Sequence, residues 1–160
     1  IKLPGHSRGH IGVLTPDKIL FVGDAMIGPD IINQIKIPYF YDIEKFQKSL
    51  YKINDLVNKN KIKKIVPSHG KPITNDFNEA IELNIKKVQQ LLEILIEMLD
   101  KAPLSLEKII VEYNKKFDIN DGIPNHFITR ACIMSFLSYL IEKNKVKTIF
   151  KNNLLHYKLN

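Results

Sequence analysis

Two short apolar runs in this chain each lead to a side chain that can bind a metal ion. Residues 18–22 form a β-type run that stops at Gly23 and Asp24, and residues 61–66 form a second run that leads to His69. Because both polar residues follow a predicted strand, we expect them at the rim of a sheet. These two side chains could therefore converge at one edge of a sheet.

His6 is a third candidate ligand, in a glycine-bearing loop before the first strand. Imidazole and carboxylate groups suit zinc, iron or manganese, and the carboxylate of Asp24 could bridge two ions. A histidine taken alone is equally compatible with an ordinary surface or core role, and spacing by itself leaves both interpretations open. A crowded site benefits from residues without side chains, and glycines flank all three candidates: Gly5, Gly23 and Gly70.

Residues 1–100 alternate β-type runs with helical patterns. Residues 11–15 and 18–22, joined by a Pro-Asp pair, predict a hairpin. Asp42 is placed to cap a helix with apolar positions at Phe46, Leu50, Ile53 and Val57. Residues 78–100 predict a long amphipathic helix that ends before Pro103.

The pattern changes after Pro103. Ser105 is placed to cap a helix, residues 122–125 predict a loop, and residues 128–143 predict an apolar helix. Alternating residues on both sides of an Asn-Asn pair then predict a hairpin. This order favours a small winged-helix-like module over residues 101–160, after a first domain over residues 1–100.

Composition limits the setting and the partners. The single cysteine, Cys132, cannot form an internal disulfide, which predicts a cytoplasmic protein with this thiol as core filler. No apolar run approaches the roughly 20 residues of a membrane span, so we expect no membrane association. The net charge of +7 arises almost entirely from lysine, which indicates either an anionic partner or a compositional bias.

Three motifs, LPGHSRGH, FVGD and VPSHG, occur in an order that resembles the second half of the metallo-β-lactamase superfamily, in particular its glyoxalase-II-like hydrolases. The resemblance covers residues 3–99. It implies an α/β fold, half of an αββα sandwich, with His6 on one metal, Asp24 bridging two, and His69 on the second. It also implies that His10 is structural. Residues 101–160 resemble the winged-helix-like segment that follows this domain in one branch of these hydrolases.

The same resemblance implies a missing part. Members carry an H-x-H-x-D-H motif in their first half, and this chain has none. We therefore expect it to be the C-terminal part of a longer protein that binds two ions, zinc first and iron or manganese as alternatives. A metal-bound hydroxide, oriented by Asp24 as catalytic residue, would attack a small-molecule ester or thioester. The fragment alone is predicted to be inactive.

The sequence is also compatible with three other functions. A nuclease or other nucleic-acid-processing enzyme would use the basic hairpin at residues 145–158 to bind phosphate. A flavodiiron-type oxygen reductase uses the same fold, but the tail lacks a flavin-binding phosphate loop. A third alternative is a dimerisation module, in which residues 128–141 pair. We expect either that the missing N-terminal part of the same protein stays associated or that two copies form a homodimer, because four apolar strand residues would lack a covering sheet: Val13, Ile19, Phe21 and Ile65.

Overall fold

The structure, a computed structural model, describes residues 1–120 and 122–160. The chain divides into two compact units. The first comprises Ile1–Ile35 and Phe40–Gln89, and the second comprises Lys36–Tyr39 and Gln90–Asn160. Within the described residues the fold is mixed α/β, with four α-helices and two three-stranded sheets.

The first unit contains a sheet in the order β1-β2-β3, formed by Val13–Leu14, Ile19–Gly23 and Lys64–Pro67. The predicted hairpin is present, because β1 and β2 pair antiparallel, whereas β2 and β3 pair parallel. The parallel pairing brings the carboxyl ends of β2 and β3 to the same edge of the sheet. That edge is where the predicted ligands follow in the sequence.

Apolar residues of this sheet lie on both of its faces. Leu20 and Ile65 are fully buried, whereas Val13 is 54% exposed and Phe21 is 45% exposed. The expectation that Ile65 would lose its covering was wrong, because it lies on the inner face of the sheet. Ile19 is half-buried. The outer face therefore leaves Val13 and Phe21, which are paired across β1 and β2, open to solvent.

Helix α1 spans Ile43–Asn58, and its predicted cap is present. The side chain of Asp42 accepts a hydrogen bond from the backbone N–H of Lys45, which satisfies one of the free donors of the first turn. The apolar stripe buries Phe46, Leu50 and Ile53, while Val57 is only half-buried. Helix α2 spans Phe77–Lys101, in agreement with the long helix predicted over 78–100.

The second unit joins a helix pair to a small antiparallel sheet. Ser105 caps helix α3 as predicted, accepting from the N–H of Lys108, and Cys132 of helix α4 is buried, as expected of core filler. The sheet has the order β4-β6-β5. In chain order, the strands and helices are β4 (Leu104–Ser105), α3 (Leu106–Lys116), α4 (Ile123–Glu142), β5 (Val146–Lys151) and β6 (Leu154–Leu159).

Two features of this unit differ from the sequence prediction. The segment 122–125, predicted as a loop, is the start of helix α4, which begins at Ile123 with Pro124 in its first turn. Proline fits there because the first-turn N–H groups have no partner within the helix. Strand β4 was not predicted, since two residues carry no alternation. The final hairpin was predicted correctly, and Asn152 and Asn153 adopt the positive φ that its two-residue turn requires.

No helix among the described residues is long and apolar enough to cross a membrane.

Candidate metal centre

Asp24 follows the last residue of β2, at the edge where β2 and β3 both end. Gly23 has a φ of +57°, a conformation that favours glycine, and its carbonyl accepts a hydrogen bond of 2.9 Å from the N–H of Ser68. A Cβ atom at Gly23 would lie 2.9 Å from Nε2 of His10. The turn that presents Asp24 therefore depends on the absence of a side chain immediately before it.

His6 and His69 approach opposite oxygens of the Asp24 carboxylate. Nε2 of His6 lies 3.8 Å from Oδ2, and Nε2 of His69 lies 3.4 Å from Oδ1. The side chains of His6 and Asp24 are about one-third exposed, and that of His69 is 63% exposed. The structure thus brings together all three residues singled out in the sequence, with the carboxylate between the two imidazoles.

This geometry fits a pair of metal ions. Both separations exceed the roughly 2.7–3.2 Å of a hydrogen bond. Two ligands of one tetrahedral ion, each bound at about 2.0–2.2 Å, lie about 3.3–3.6 Å apart. The His69–Asp24 separation falls in that range and the His6–Asp24 separation is slightly longer. Each carboxylate oxygen could therefore share one ion with the imidazole that faces it.

The described part of the chain has no group of three or more His, Cys, Asp or Glu side chains arranged to hold one metal ion. The arrangement around Asp24 is consistent with that, because each oxygen faces a single histidine. Ligation by His6, Asp24 and His69 stays a prediction.

The loop that carries His6 is held against the start of α1. Gly5 has a φ of +137°, and a Cβ atom there would lie only 2.3 Å from the backbone of Phe46. The carbonyl of Gly5 accepts hydrogen bonds of 2.9 Å from the N–H groups of Tyr41 and Asp42. This close approach of two backbones fixes the position of His6 relative to the helix.

The loop that carries His69 is fixed through its backbone. The carbonyl of His69 accepts a 2.8 Å hydrogen bond from the N–H of Gly28, and Oδ1 of Asp30 accepts a 3.0 Å bond from the N–H of Lys71. Gly70 has a φ of +100° and packs directly on Gly28. No signal in the sequence indicated that Asp30 would contact the loop of His69.

A buried asparagine secures the chain just after Asp24. Oδ1 of Asn84 accepts from the N–H of Ile27 at 2.9 Å, and its Nδ2 donates to the carbonyls of Ile27 and Ala80, each at 2.9 Å. Asn84 is 2% exposed. It lies three residues after Ile81 and four before Val88, on the same face of the helix, so the signal in the sequence was an asparagine along the apolar face of α2.

His10 contacts the backbone of Asp24. Its Nε2 accepts a hydrogen bond of 3.2 Å from the Asp24 N–H. An accepting Nε2 places the ring proton of the neutral imidazole on Nδ1. That Nδ1 is buried and has no hydrogen-bond partner among the described residues. The position agrees with the structural role that the resemblance implies, because His10 holds the main chain of Asp24.

Comparison with known proteins agrees with this fold. A metallo-β-lactamase family protein from Thermus thermophilus superposes with a TM-score of 0.73 at 22% identity, over 100% of this chain and 48% of its own. A β-lactamase domain protein from Burkholderia ambifaria superposes with a TM-score of 0.68 at 16% identity, over 98% of this chain and 45% of its own. This chain spans about half the length of either structure.

No sequence profile of a known family matches the chain, and no curated protein matches it. At identities of 22% and 16% the likeness shows the fold. The chain therefore shares the mixed α/β fold of these two structures over about half of their length.

Proposed function

We propose that this chain forms part of a metal-dependent hydrolase in which Asp24 bridges two zinc ions. The observation that carries the proposal is the carboxylate of Asp24, which presents one oxygen to His6 and the other to His69 at 3.8 and 3.4 Å. A bridging carboxylate needs this two-sided arrangement. Iron or manganese would accept the same donors.

In the proposed mechanism the protein fixes the positions of the groups around the reacting atoms. Asp24 sets the spacing of the two halves of the site, and the hydrogen bond from its N–H to His10 keeps the carboxylate in place. When bound, the ions would supply Lewis acidity and a water molecule whose pKa is lowered towards about 7. The two imidazoles would bind the ions through their Nε2 atoms, which face the carboxylate of Asp24.

The proposed substrate is a small-molecule ester or thioester, in keeping with the resemblance to glyoxalase-II-like hydrolases. This chain contributes two donors to each ion, whereas a catalytic ion normally has about three protein ligands. We propose that an H-x-H-x-D-H segment elsewhere in the working protein supplies the others. We expect the chain of residues 1–160 alone to show no hydrolase turnover.

The proposal is tested on the protein expressed from its complete coding sequence. Elemental analysis is expected to find two equivalents of zinc, iron or manganese, and Asp24→Ala is expected to lose metal from both positions. A thioester and phosphodiester screen then defines the reaction. A protein that carries no such metal, or turnover that survives Asp24→Ala unchanged, would contradict the proposal. Turnover by the isolated chain, abolished by Asp24→Ala, would overturn the expected need for further ligands.

A second candidate function, nucleic-acid processing, is favoured by the final hairpin. Residues 143–160 contain five lysines and no aspartate or glutamate. Lys147 and Lys158 lie directly opposite each other on β5 and β6, an arrangement that like charges disfavour unless an anion lies between them. The hairpin follows two helices, and we propose that this unit is winged-helix-like, with phosphate bound along this face.

Binding of a short fluorescent DNA single strand and of its duplex, followed by polarisation at several salt concentrations, tests this alternative. Affinity that falls as salt rises, and that is lost in Lys147→Glu, would support it. Lys86→Glu, on the exposed surface of α2, is the matched control. If the unchanged chain binds neither probe more tightly than Lys147→Glu does, the nucleic-acid alternative is contradicted, and packing or dimer contacts are left as the role of the hairpin.

We also propose a cytoplasmic location, because the single thiol of Cys132 is buried and has no cysteine to pair with.

A further inference from the structure

Arg8 is held in a defined orientation in the loop that carries His6. Its Nε donates a hydrogen bond to the hydroxyl of Tyr41, and its guanidinium carbon lies 5.1 Å from the centre of the Tyr41 ring. The same loop is fixed to the start of α1, because the carbonyl of Gly5 accepts from the N–H of Tyr41. The guanidinium is therefore oriented by an aromatic ring and by a hydroxyl, two residues beyond His6.

No carboxylate pairs with Arg8 among the described residues. Arg130, the other arginine of the chain, pairs with Glu107 at 3.0 Å. Asp42 is the acidic residue next to Tyr41, but its carboxylate caps α1 and pairs with Lys45 at 2.9 Å. The guanidinium of Arg8 therefore has no carboxylate in ion-pair contact.

The free donors of Arg8 suit an anion. A guanidinium carries five N–H donors, and the contact with Tyr41 uses only the one on Nε. The four terminal N–H groups form a planar fork that matches the paired oxygens of a carboxylate or phosphate. Arg8 and Tyr41 are both exposed, with Tyr41 at 40%, so such a group could reach them from solvent.

We propose that Arg8, positioned by Tyr41, is an anion-binding subsite beside the candidate metal centre, and that the substrate carries a carboxylate or phosphate group. The description of this anion as part of a substrate rests on the proposed function. The binding of an anion at Arg8 does not, because no metal ion takes part in it. The two statements can therefore be tested separately.

The experiment uses the whole chain of residues 1–160, ¹⁵N-labelled and freed of metal with a chelator. Because the chain has two arginines, its Nε–H region holds two side-chain signals, and Arg130 serves as an internal control. Inorganic phosphate is titrated at constant ionic strength, with chloride in a parallel titration. The Arg8 signal is expected to shift saturably with phosphate and not with chloride, while the Arg130 signal stays in place.

Two variants separate binding from folding. Tyr41→Phe keeps the ring and removes the acceptor, and it is expected to weaken phosphate binding by about three- to tenfold. Arg8→Gln is expected to abolish the phosphate shift of backbone signals in residues 5–10, with the rest of the spectrum unchanged. A phosphate shift that is equal at Arg8 and Arg130, or that does not saturate, would overturn the subsite. Zinc is then added to the same sample. If phosphate binding at Arg8 is saturable but zinc does not shift the signals of His6 and His69, the subsite is upheld and the proposed function is contradicted.

Discussion

The positions of the Asp24 carboxylate and of the two histidines that face it depend on three glycines. Gly23 allows the turn that presents the carboxylate, Gly5 allows the His6 loop to reach α1, and Gly70 allows the His69 loop to turn back. Each has a positive φ, where other residues are strained. The glycines beside the three candidate ligands were visible in the sequence, but the contacts that require them were not.

Gly5→Ala is expected to destabilise the chain by about 2–4 kcal/mol, because its Cβ atom would overlap the backbone of Phe46, which cannot move without shifting α1. Urea unfolding measures the effect. The matched control is Gly9→Ala in the same loop, where no atom lies within 4 Å of the added Cβ. Equal stabilities of the two variants would show that the close approach at Gly5 does not exist.

Lys87 on α2 is only 8% exposed, and burial lowers the pKa of its ammonium group. At pH 7 the folded chain therefore holds a partly desolvated cation. Lys87→Met is expected to raise the melting temperature by about 1–3 °C at pH 7. The pKa of Lys87 is lower in the folded state than in the unfolded state, so the folded state loses this proton first as pH rises. The destabilisation caused by burying the charge therefore decreases with increasing pH.

The difference in melting temperature between Lys87→Met and the unchanged chain should thus narrow between pH 7 and pH 10.5, the ordinary pKa of a lysine. Thermal unfolding followed by circular dichroism at several pH values measures it. A difference that stays constant or widens with pH would show that burial does not penalise the charge of Lys87.

Among the secondary-structure elements, the features that depend on neighbouring residues could be predicted from the sequence, whereas those that depend on tertiary contacts could not. The caps at Asp42 and Ser105 and the final hairpin were confirmed, because each depends on side chains close to the backbone groups they satisfy. Strand β4 exists only through its pairing with β6, which is distant in sequence. The start of α4 at Ile123 was missed because a Gly-Ile-Pro-Asn segment fits a turn and a helical first turn equally well.

The candidate site shows the same division. The positions of Asp24 and His69 after strands, and of His6 before one, could be inferred from the sequence, since the apolar run beside each is local. Asn84 and Asp30 could not be, because their roles depend on loops that approach from far along the chain.

The contact between Asn84 and Ile27 is expected to stabilise the segment that follows Asp24. Asn84→Leu would leave the buried N–H and carbonyl of Ile27 without partners, at a cost of about 2–3 kcal/mol. Urea denaturation is the measurement. The control is Asn78→Leu on the exposed first turn of α2, because an exposed substitution of this kind changes stability by only about 0.5 kcal/mol. A loss equal to that of the control would contradict the role of Asn84.

At the scale of the whole molecule, the most informative surface is the outer face of the first sheet, because contiguous exposed apolar side chains mark interaction sites. Val13 and Phe21 are paired across β1 and β2, and Ile11, two residues before Val13, is 61% exposed. Strands with apolar residues on both faces are typical of sheets covered on both sides. In the structures of similar fold this chain corresponds to about half the length. We propose that further polypeptide of the same fold covers this face.

When nothing else covers the face, the isolated chain is expected to self-associate, with a twofold dimer as the first species. Analytical ultracentrifugation over a range of concentrations tests this. Phe21→Lys is expected to shift the chain towards monomer, while Tyr51→Lys, on the exposed side of α1 at 56% exposure, should not. A monomer that persists at high concentration would contradict the expectation.

The central claim, that Asp24 joins His6 and His69 in one metal-binding centre, is tested most directly by zinc titration of the chain with its histidine side-chain NMR signals resolved. His6 and His69 are expected to respond together, His126 and His156 to stay unchanged, and Asp24→Asn to weaken both responses by about tenfold or more. A uniform response of all the histidines, or a response at His6 and His69 that Asp24→Asn leaves intact, would contradict it.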